Sequence, residues 1–165
     1  MHKLLQLSVR RMIQVTVFIF LVQGHAYADH SQQPNDAKTQ AAITSAELVL
    51  DEFMRAFNAT DVSAWADTLL FPHVRVASGA VVVVPDKQSF VAQTDMMNFA
   101  RVNNWARSEW DSIEVVQADP EKVHFKVQFS RFNPAGQRYA SFDSLYIVQK
   151  VDDVWGIRAR SSFAP

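Results

Sequence analysis

The chain has no cysteine, only four glycines, and no surplus of basic residues among its 165 residues. Without thiols it cannot form disulfide bonds, and it has no thiolate to act as a nucleophile or a metal ligand. Its stability therefore has to come from a packed hydrophobic core. Sixteen Lys and Arg residues are offset by 17 Asp and Glu residues, whereas nucleic-acid-binding proteins usually carry a basic face that neutralises phosphates. The composition therefore argues against a nucleic-acid partner.

Long hydrophobic runs are also absent, and the apolar stretch over residues 12–22 is shorter than the ~20 residues that a membrane-spanning helix needs. Three basic residues precede this stretch, and the small-x-small tripeptide Ala26-Tyr27-Ala28 follows it. This pattern predicts a signal peptide over residues 1–28, cleaved after Ala28. The product is expected to be periplasmic or secreted with no stable membrane anchor, and an uncleaved anchor is the alternative.

Residues 29–42 are polar, carry a proline and lack periodicity, so they are predicted to form a flexible leader before a single domain over residues 43–165. The exported chain keeps 13 Lys and Arg against 17 Asp and Glu, a net charge of −4. About 120 ordered residues are enough for one hydrophobic core.

Two short amphipathic helices are predicted at the start of this domain. Thr44 and Glu47 form an S/T-x-x-E capping box, and Asp61 is a second N-cap. Apolar residues follow each cap at helical spacing, and the second helix is expected to run to Leu70 and end at Phe71, before Pro72. A third helix is predicted from the cap residue Asp86 to about Asn103.

The rest of the sequence reads as strands. A hairpin is predicted from His73–Ala77 through Ser78-Gly79 to Ala80–Val84. A meander is then predicted over residues 107–117, 123–132, 139–150 and 154–163. Helices followed by antiparallel strands indicate an α+β fold.

This order of elements carries a family resemblance. Two helices, the FPHVRVASG hairpin, a helix and a meander ending in DDVWGIRARSSF resemble the nuclear transport factor 2-like superfamily, whose members are also called SnoaL-like or ketosteroid-isomerase-like. The resemblance covers nearly all of residues 43–163. It implies a cone-shaped barrel, in which a strongly curved, mostly antiparallel sheet wraps around three helices and an internal pocket, and it implies frequent dimers through the sheet. Because this superfamily contains enzymes as well as binding proteins, the resemblance implies no single function.

The resemblance does not supply a catalytic base. Ketosteroid-isomerase-like members place an acidic base in the first strand, and an ungapped match of Val74 through Gly79 puts Val76 there. Because the segment from His73 to Val84 contains no acid, any base is expected elsewhere.

Strand alternation nominates one site. Phe129 and Arg131 share the predicted core face of their strand, and a hairpin that pairs Phe129 with Asp143 places Asp143 near Arg131 at a pocket mouth. Asp143 is then a candidate acid or base, and a structural ion pair at the rim is the alternative.

His73 and Arg75 project to one side of the first strand. His73 is a second candidate for proton transfer, and with Arg75 it could hold a carboxylate. The alternative is that both lie on the outer face or cap the end of the second helix. The exported chain has histidines only at positions 30, 73 and 124, none at metal-ligand spacing. Neither a metal nor another cofactor is expected.

Three residues on the opposite face of the meander, Tyr146, Arg158 and Arg160, are predicted to form a homodimer interface, and a merely solvated face is the alternative. Trp65 and Trp110 are predicted either to pack in the core or to line the pocket.

The function expected from the sequence is an exported single-domain protein that binds a small, largely apolar molecule. Two alternatives stay open: a cofactor-independent isomerase, dehydratase or polyketide-cyclase-type enzyme that uses Asp143 or His73, and a non-catalytic interaction module whose cone is filled.

Overall fold

The computed structural model describes residues 37–77 and 79–164. The predicted signal peptide and the first part of the predicted leader lie outside these residues. The described chain contains four helices and six strands: α1 (Ala37–Asn58), α2 (Val62–Asp67), β1 (Leu69–Ala77), β2 (Ala80–Val84), α3 (Lys87–Gln93), α4 (Met96–Val102), β3 (Arg107–Asp119), β4 (Lys122–Phe132), β5 (Arg138–Val151) and β6 (Val154–Ser162). None of the helices in the described ranges is long and apolar enough to span a membrane.

The six strands form one sheet in the order β2-β1-β6-β5-β4-β3. All neighbours are antiparallel except β1 and β6, which are parallel. The sheet is curled but not closed, so β2 and β3 remain its edges. The α+β class and the mostly antiparallel curved sheet are confirmed, whereas four helices replace the three that were predicted.

The helix α1 begins seven residues before the predicted capping box, at Ala37. Thr44 lies inside it, and its hydroxyl donates to the carbonyl of Gln40 at 3.2 Å, so the predicted cap is wrong. Ala42 and Ile43 are buried in the core. They extend the apolar stripe, which makes the longer helix favourable and converts the end of the predicted leader into structure.

The helix α2 begins as predicted, because the Asp61 carboxylate accepts a hydrogen bond from the backbone N–H of Ala64 at 3.0 Å. It ends at Asp67 and not at Leu70. The carbonyl of Thr68 accepts from the N–H of Ile157 on β6 at 2.8 Å. This bond draws the chain into the sheet, so β1 starts at Leu69 and runs through the cis Phe71–Pro72 peptide.

The third predicted helix is two helices. Asp86 caps α3 as expected, but Thr94 has extended backbone angles, and Asp95 then caps α4 by accepting from the N–H of Asn98 at 2.8 Å. The prediction of one helix through Asn103 is wrong because a second N-cap residue interrupts the apolar pattern.

The four predicted meander strands are present, but the register between β4 and β5 differs from the prediction by one residue. Phe129 pairs with Phe142 and not with Asp143. Arg131 pairs with Ala140 while Phe132 pairs with Arg138, which leaves Tyr139 as an extra residue in a β-bulge. A shift of one residue moves every β5 side chain to the other face.

The inner face of the sheet is the one on which Val123, Phe125, Val127 and Phe129 of β4 point; all four are buried, and α1 packs against this face. The opposite face is called the outer face below. Phe129 and Arg131 were predicted to share the core side, and the burial of both confirms this alternation.

Gly156 on β6 marks a close approach between strands. A Cβ atom there would lie 2.9 Å from Cγ of Leu70 and 3.3 Å from the carbonyl oxygen of Thr68. We expect Gly156→Ala to lower the free energy of unfolding by about 1–3 kcal/mol, because the added methyl group overpacks this contact. Urea denaturation measures the change, with Ser161→Ala on the same strand as a control expected to stay within about 0.5 kcal/mol of wild type. Equal stability of the two variants would show that Leu70 moves aside freely.

Candidate functional site

A cavity of about 390 Å³ lies between the helices and the inner face of the sheet. Aromatic rings from α1, α2, α4, β3 and β4 dominate its wall: Phe53, Phe57, Trp65, Phe99, Trp110 and Phe129. The rings contact one another edge to face, with centroids 5.5 Å apart for Phe53 and Trp65 and 4.9 Å apart for Phe57 and Trp65. Such contacts hold the rings in place, so the cavity has a rigid apolar body.

His73 on β1 supplies a polar group to this wall. Its side chain is 1% exposed, and Nδ1 lies 3.0 Å from the carbonyl oxygen of Ile157. Because a carbonyl only accepts, Nδ1 carries the proton and Nε2 is a free acceptor, which has no hydrogen-bond partner within the described protein. Burial is the main cause that lowers the pKa of His73 to about 4, and the positive charge of Arg160 adds to it. His73 is therefore neutral at pH 7.

Three arginines, Arg75, Arg131 and Arg160, reach the cavity from β1, β4 and β6. Arg75 and Arg160 are register partners across the parallel β1–β6 pair, and Arg160 is also paired with Tyr146 of β5. The sheet therefore places two like charges directly opposite each other on its inner face, an arrangement that is unfavourable by itself.

Aromatic rings flank two of these guanidinium groups. The guanidinium carbon of Arg131 lies 4.9 Å from the ring centroid of Phe142 and 5.1 Å from that of Phe99. The guanidinium carbon of Arg160 lies 5.3 Å from the ring centroid of Phe53 and 5.6 Å from that of Trp65. The faces of the rings stabilise these cations, whereas the N–H edges of the guanidinium groups still require acceptors.

Acidic partners for Arg131 and Arg160 are missing from the described residues. No carboxylate there lies within ion-pair distance of Arg131 or Arg160. The one acidic residue of the described wall, Asp95, is engaged as the N-cap of α4. The cavity is therefore apolar in its body and positively charged on the side of the sheet. Residues 37–77 and 79–164 contain no group of three or more His, Asp or Glu side chains placed to hold a metal ion.

Residues 44–163 match the family model described as NTF2-like protein (DUF6841). The chain belongs to this NTF2-like family. Comparison with curated proteins gave no significant match.

Solved structures share the NTF2-like fold of the domain at low sequence identity. A protein of unknown function with a cystatin-like fold from Nostoc punctiforme aligns with a TM-score of 0.61 and 13% identity, over 76% of this chain and 92% of that one. An NTF2-like protein of unknown function from Shewanella oneidensis has a TM-score of 0.58 and 12% identity, over 73% and 98%. An NTF2-like protein from Novosphingobium aromaticivorans has a TM-score of 0.61 and 8% identity, over 75% and 82%. At these identities the likeness concerns the fold alone.

The structure of this NTF2-like domain places Asp143 away from the cavity. Asp143 is exposed on the outer face, where it accepts a hydrogen bond from Nε2 of Gln128 at 3.3 Å. The predicted pairing with Arg131 at a pocket mouth is wrong, because the bulge at Tyr139 turns Asp143 outward. Asp143 therefore cannot serve as a base for a ligand in this cavity.

The same shift moves Tyr146 inward. Tyr146 is 3% exposed, and both it and Arg160 line the cavity, so their assignment to a dimer interface is wrong. Arg158 is the extra residue of a bulge in β6 and donates to the carbonyl of Phe71 at 2.7 Å. A homodimer through the sheet stays a prediction, and it would have to use outer-face residues such as Leu145, which is 51% exposed.

All five residues predicted to bind a ligand lie on the cavity wall: Trp65, Arg75, Trp110, Phe129 and Arg131. His73 joins them there, which excludes the alternative of an outer-face location. Their role in binding stays a prediction. The α1 residues Phe53 and Phe57 were recognised only as part of a core stripe, and nothing in a helical period separates a core position from a cavity position.

Proposed function

We propose that this NTF2-like domain binds a small amphipathic molecule in its cavity. One observation carries the proposal. Four buried side-chain nitrogens have no hydrogen-bond partner within the described protein, and all four belong to residues that line this cavity: Trp65 Nε1, His73 Nε2, Arg131 Nε and Arg160 Nε.

These four atoms define which hydrogen-bonding groups a ligand in the cavity has to carry. Leaving one buried donor or acceptor unsatisfied costs about 1–3 kcal/mol, so a cluster of four is a poor device for stability. Three of the atoms are donors, and Nε2 of His73 is an acceptor. A ligand that brings mainly acceptor oxygens and one donor satisfies this set while its apolar part packs on the rings.

The size of the cavity suits a small molecule. A volume of about 390 Å³ lies within the range of about 300–1,000 Å³ that is typical of ligand sites. At about 30 Å³ for each water-sized group, it has space for about a dozen such groups. The cavity is evidence against the interaction module, for which a filled cone was expected.

The first experiment is native mass spectrometry of the protein purified from the cell envelope. We expect a reproducible mass excess that is lost on denaturation, on a chain starting at Asp29 because export and cleavage after Ala28 are part of the proposal. Tryptophan fluorescence provides a second readout, since Trp65 and Trp110 line the cavity.

A matched pair of variants on β2 tests where the ligand lies. Val82 lines the cavity, whereas its neighbour Val81 is 68% exposed and does not. Val82→Trp is expected to remove the mass excess by filling the cavity, and Val81→Trp is expected to keep it. A bare protein without a fluorescence response to small amphipathic acids, alcohols and amides would contradict the proposal, as would equal loss in both variants.

An enzyme that uses His73 is the second candidate function. The neutral imidazole presents a free Nε2 lone pair on the wall of a largely apolar cavity, which is the form that a general base needs. Incubation of the extracted ligand with wild type and with His73→Asn tests this. Conversion by wild type alone would favour catalysis, and recovery of unchanged ligand from both would leave binding as the function.

A further inference from the structure

The side of the cavity nearest the sheet is positively charged. Resting on the proposed function, we propose that the bound molecule is a monocarboxylate whose anionic end is held by Arg131 and Arg160, with its apolar body among the rings of the helices. The chemistry of these two arginines, and not the general shape of the fold, identifies the class of ligand.

The burial of Arg131 is the first step of the argument. Its side chain is 7% exposed, its Nε has no partner within the described protein, and its guanidinium lies among the rings of Phe99, Phe129 and Phe142. A cation–π contact is weaker than the penalty for removing a charge from water, so the rings alone do not compensate this burial. An anion that reaches the N–H edge of the Arg131 guanidinium compensates it.

The positive charges next to Arg131 and Arg160 also favour a bound anion. Arg160 lies beside Arg75 across β1 and β6. Burial lowers the pKa of Arg131, and the positive charge of Arg160 contributes to the decrease. A guanidinium nevertheless remains protonated. The cavity therefore holds adjacent positive charges, and no carboxylate of the described residues lies within ion-pair distance of Arg131 or Arg160.

The rings at the faces of the two guanidinium groups favour a planar carboxylate over a larger anion. A carboxylate is planar and accepts paired N–H groups from a guanidinium in one plane, so it can reach the edge of a guanidinium whose faces are covered by rings. Tyrosine and tryptophan complete the wall near Arg160, with Tyr146 as its strand partner and Trp65 beneath its guanidinium. A phosphate ester brings more charge and bulk, and the experiment includes it as a separate arm.

The test compares probes that share one body and differ in the head group: 4-phenylbutanoate, 4-phenylbutanamide, 4-phenylbutan-1-ol and 4-phenylbutyl phosphate. Affinity is measured by isothermal titration calorimetry at pH 7. Wild type is expected to bind the carboxylate at least tenfold more tightly than the amide and the alcohol, and more tightly than the phosphate. Equal affinity for carboxylate and alcohol would overturn the carboxylate proposal while supporting a small-molecule site. Absence of binding by all four would overturn both proposals.

Two arginines on β6 provide a matched control. Arg160→Met and Arg158→Met remove the same charge two residues apart, but only Arg160 lines the cavity. Arg160→Met is expected to lower the affinity for the carboxylate at least tenfold, to that of the alcohol, with the affinity for the alcohol changed less than threefold. Arg158→Met is expected to change both less than threefold. Arg131→Met provides a second cavity variant in case one fails to fold, and persistence of the tenfold carboxylate preference in either folded cavity variant would overturn the proposal.

Discussion

Truncation of Phe125 to alanine is expected to lower the free energy of unfolding by about 3–5 kcal/mol. Phe125 is fully buried at the centre of β4, between Val115 of β3 and Tyr146 of β5. It is part of the core beneath α1 and does not line the cavity. Removing its ring leaves a void that a closely paired sheet cannot collapse to fill. Since the stability of a domain is typically about 5–15 kcal/mol, this is a large share of the total.

Urea denaturation of wild type and Phe125→Ala measures the effect, and the variant is expected to bind cavity probes as wild type does while it is folded. Phe53→Ala is the matched control, because Phe53 is similarly buried at 4% exposure but lines the cavity and flanks Arg160. It is expected to lose probe affinity as well as stability. A loss of probe affinity in folded Phe125→Ala would show that the core and the cavity are not separate parts of the interior.

The second large effect is a loss of stability at acidic pH caused by His73. Its pKa is about 4 in the folded state and about 6.5 in an unfolded chain. Above pH 6.5 His73 is neutral in both states, so its full contribution is present. As the pH falls from 6.5 to 4, the unfolded state binds a proton that the folded state rejects. The fall therefore removes about 3 kcal/mol of stability.

The comparison of wild type with His73→Asn isolates this contribution, because both carry the same carboxylates and the asparagine amide can still donate to the carbonyl of Ile157. Between pH 7 and pH 4, wild type is expected to lose about 2–3 kcal/mol more than the variant. His124→Asn is the control and is expected to keep most of the wild-type slope, since His124 lies on the outer face and is only partly buried. An equal loss in wild type and His73→Asn would show that folding does not hold His73 neutral.

The sequence was sufficient to predict the elements of the fold where local signals are strong. The N-caps Asp61 and Asp86, the antiparallel pairing of the first two strands and the alternation along β4 are all confirmed. Each depends on a few neighbouring residues, because a cap or an alternating pattern is visible within a single turn or strand.

The errors in strand register and in strand facing depend on contacts that are distant in the sequence. Without the bulge at Tyr139, Asp143 would share a face with Phe129, as predicted; with it, Tyr146 takes the inner position. On β1, both faces carry plausible core residues, and the structure buries His73 while Val76 is 42% exposed. The alternation of side chains along a strand shows that it has two faces, but only packing against other elements decides which face is buried.

The bulge at Tyr139 also determines which side chains of β5 face the interior, so a change in the length of this hairpin would alter the inner face of the sheet. The alternate residues of β5, among them Asp143 and Leu145, now face outward, and a hairpin one residue shorter would turn them to the inner face in place of Phe142, Ser144 and the cavity-lining Tyr146. The interior would then exchange an aromatic and hydroxylic wall for an acidic and aliphatic one without a single substitution on the strand. A single deletion at this loop is therefore expected to change what the cavity accepts while leaving the sequence of β5 intact.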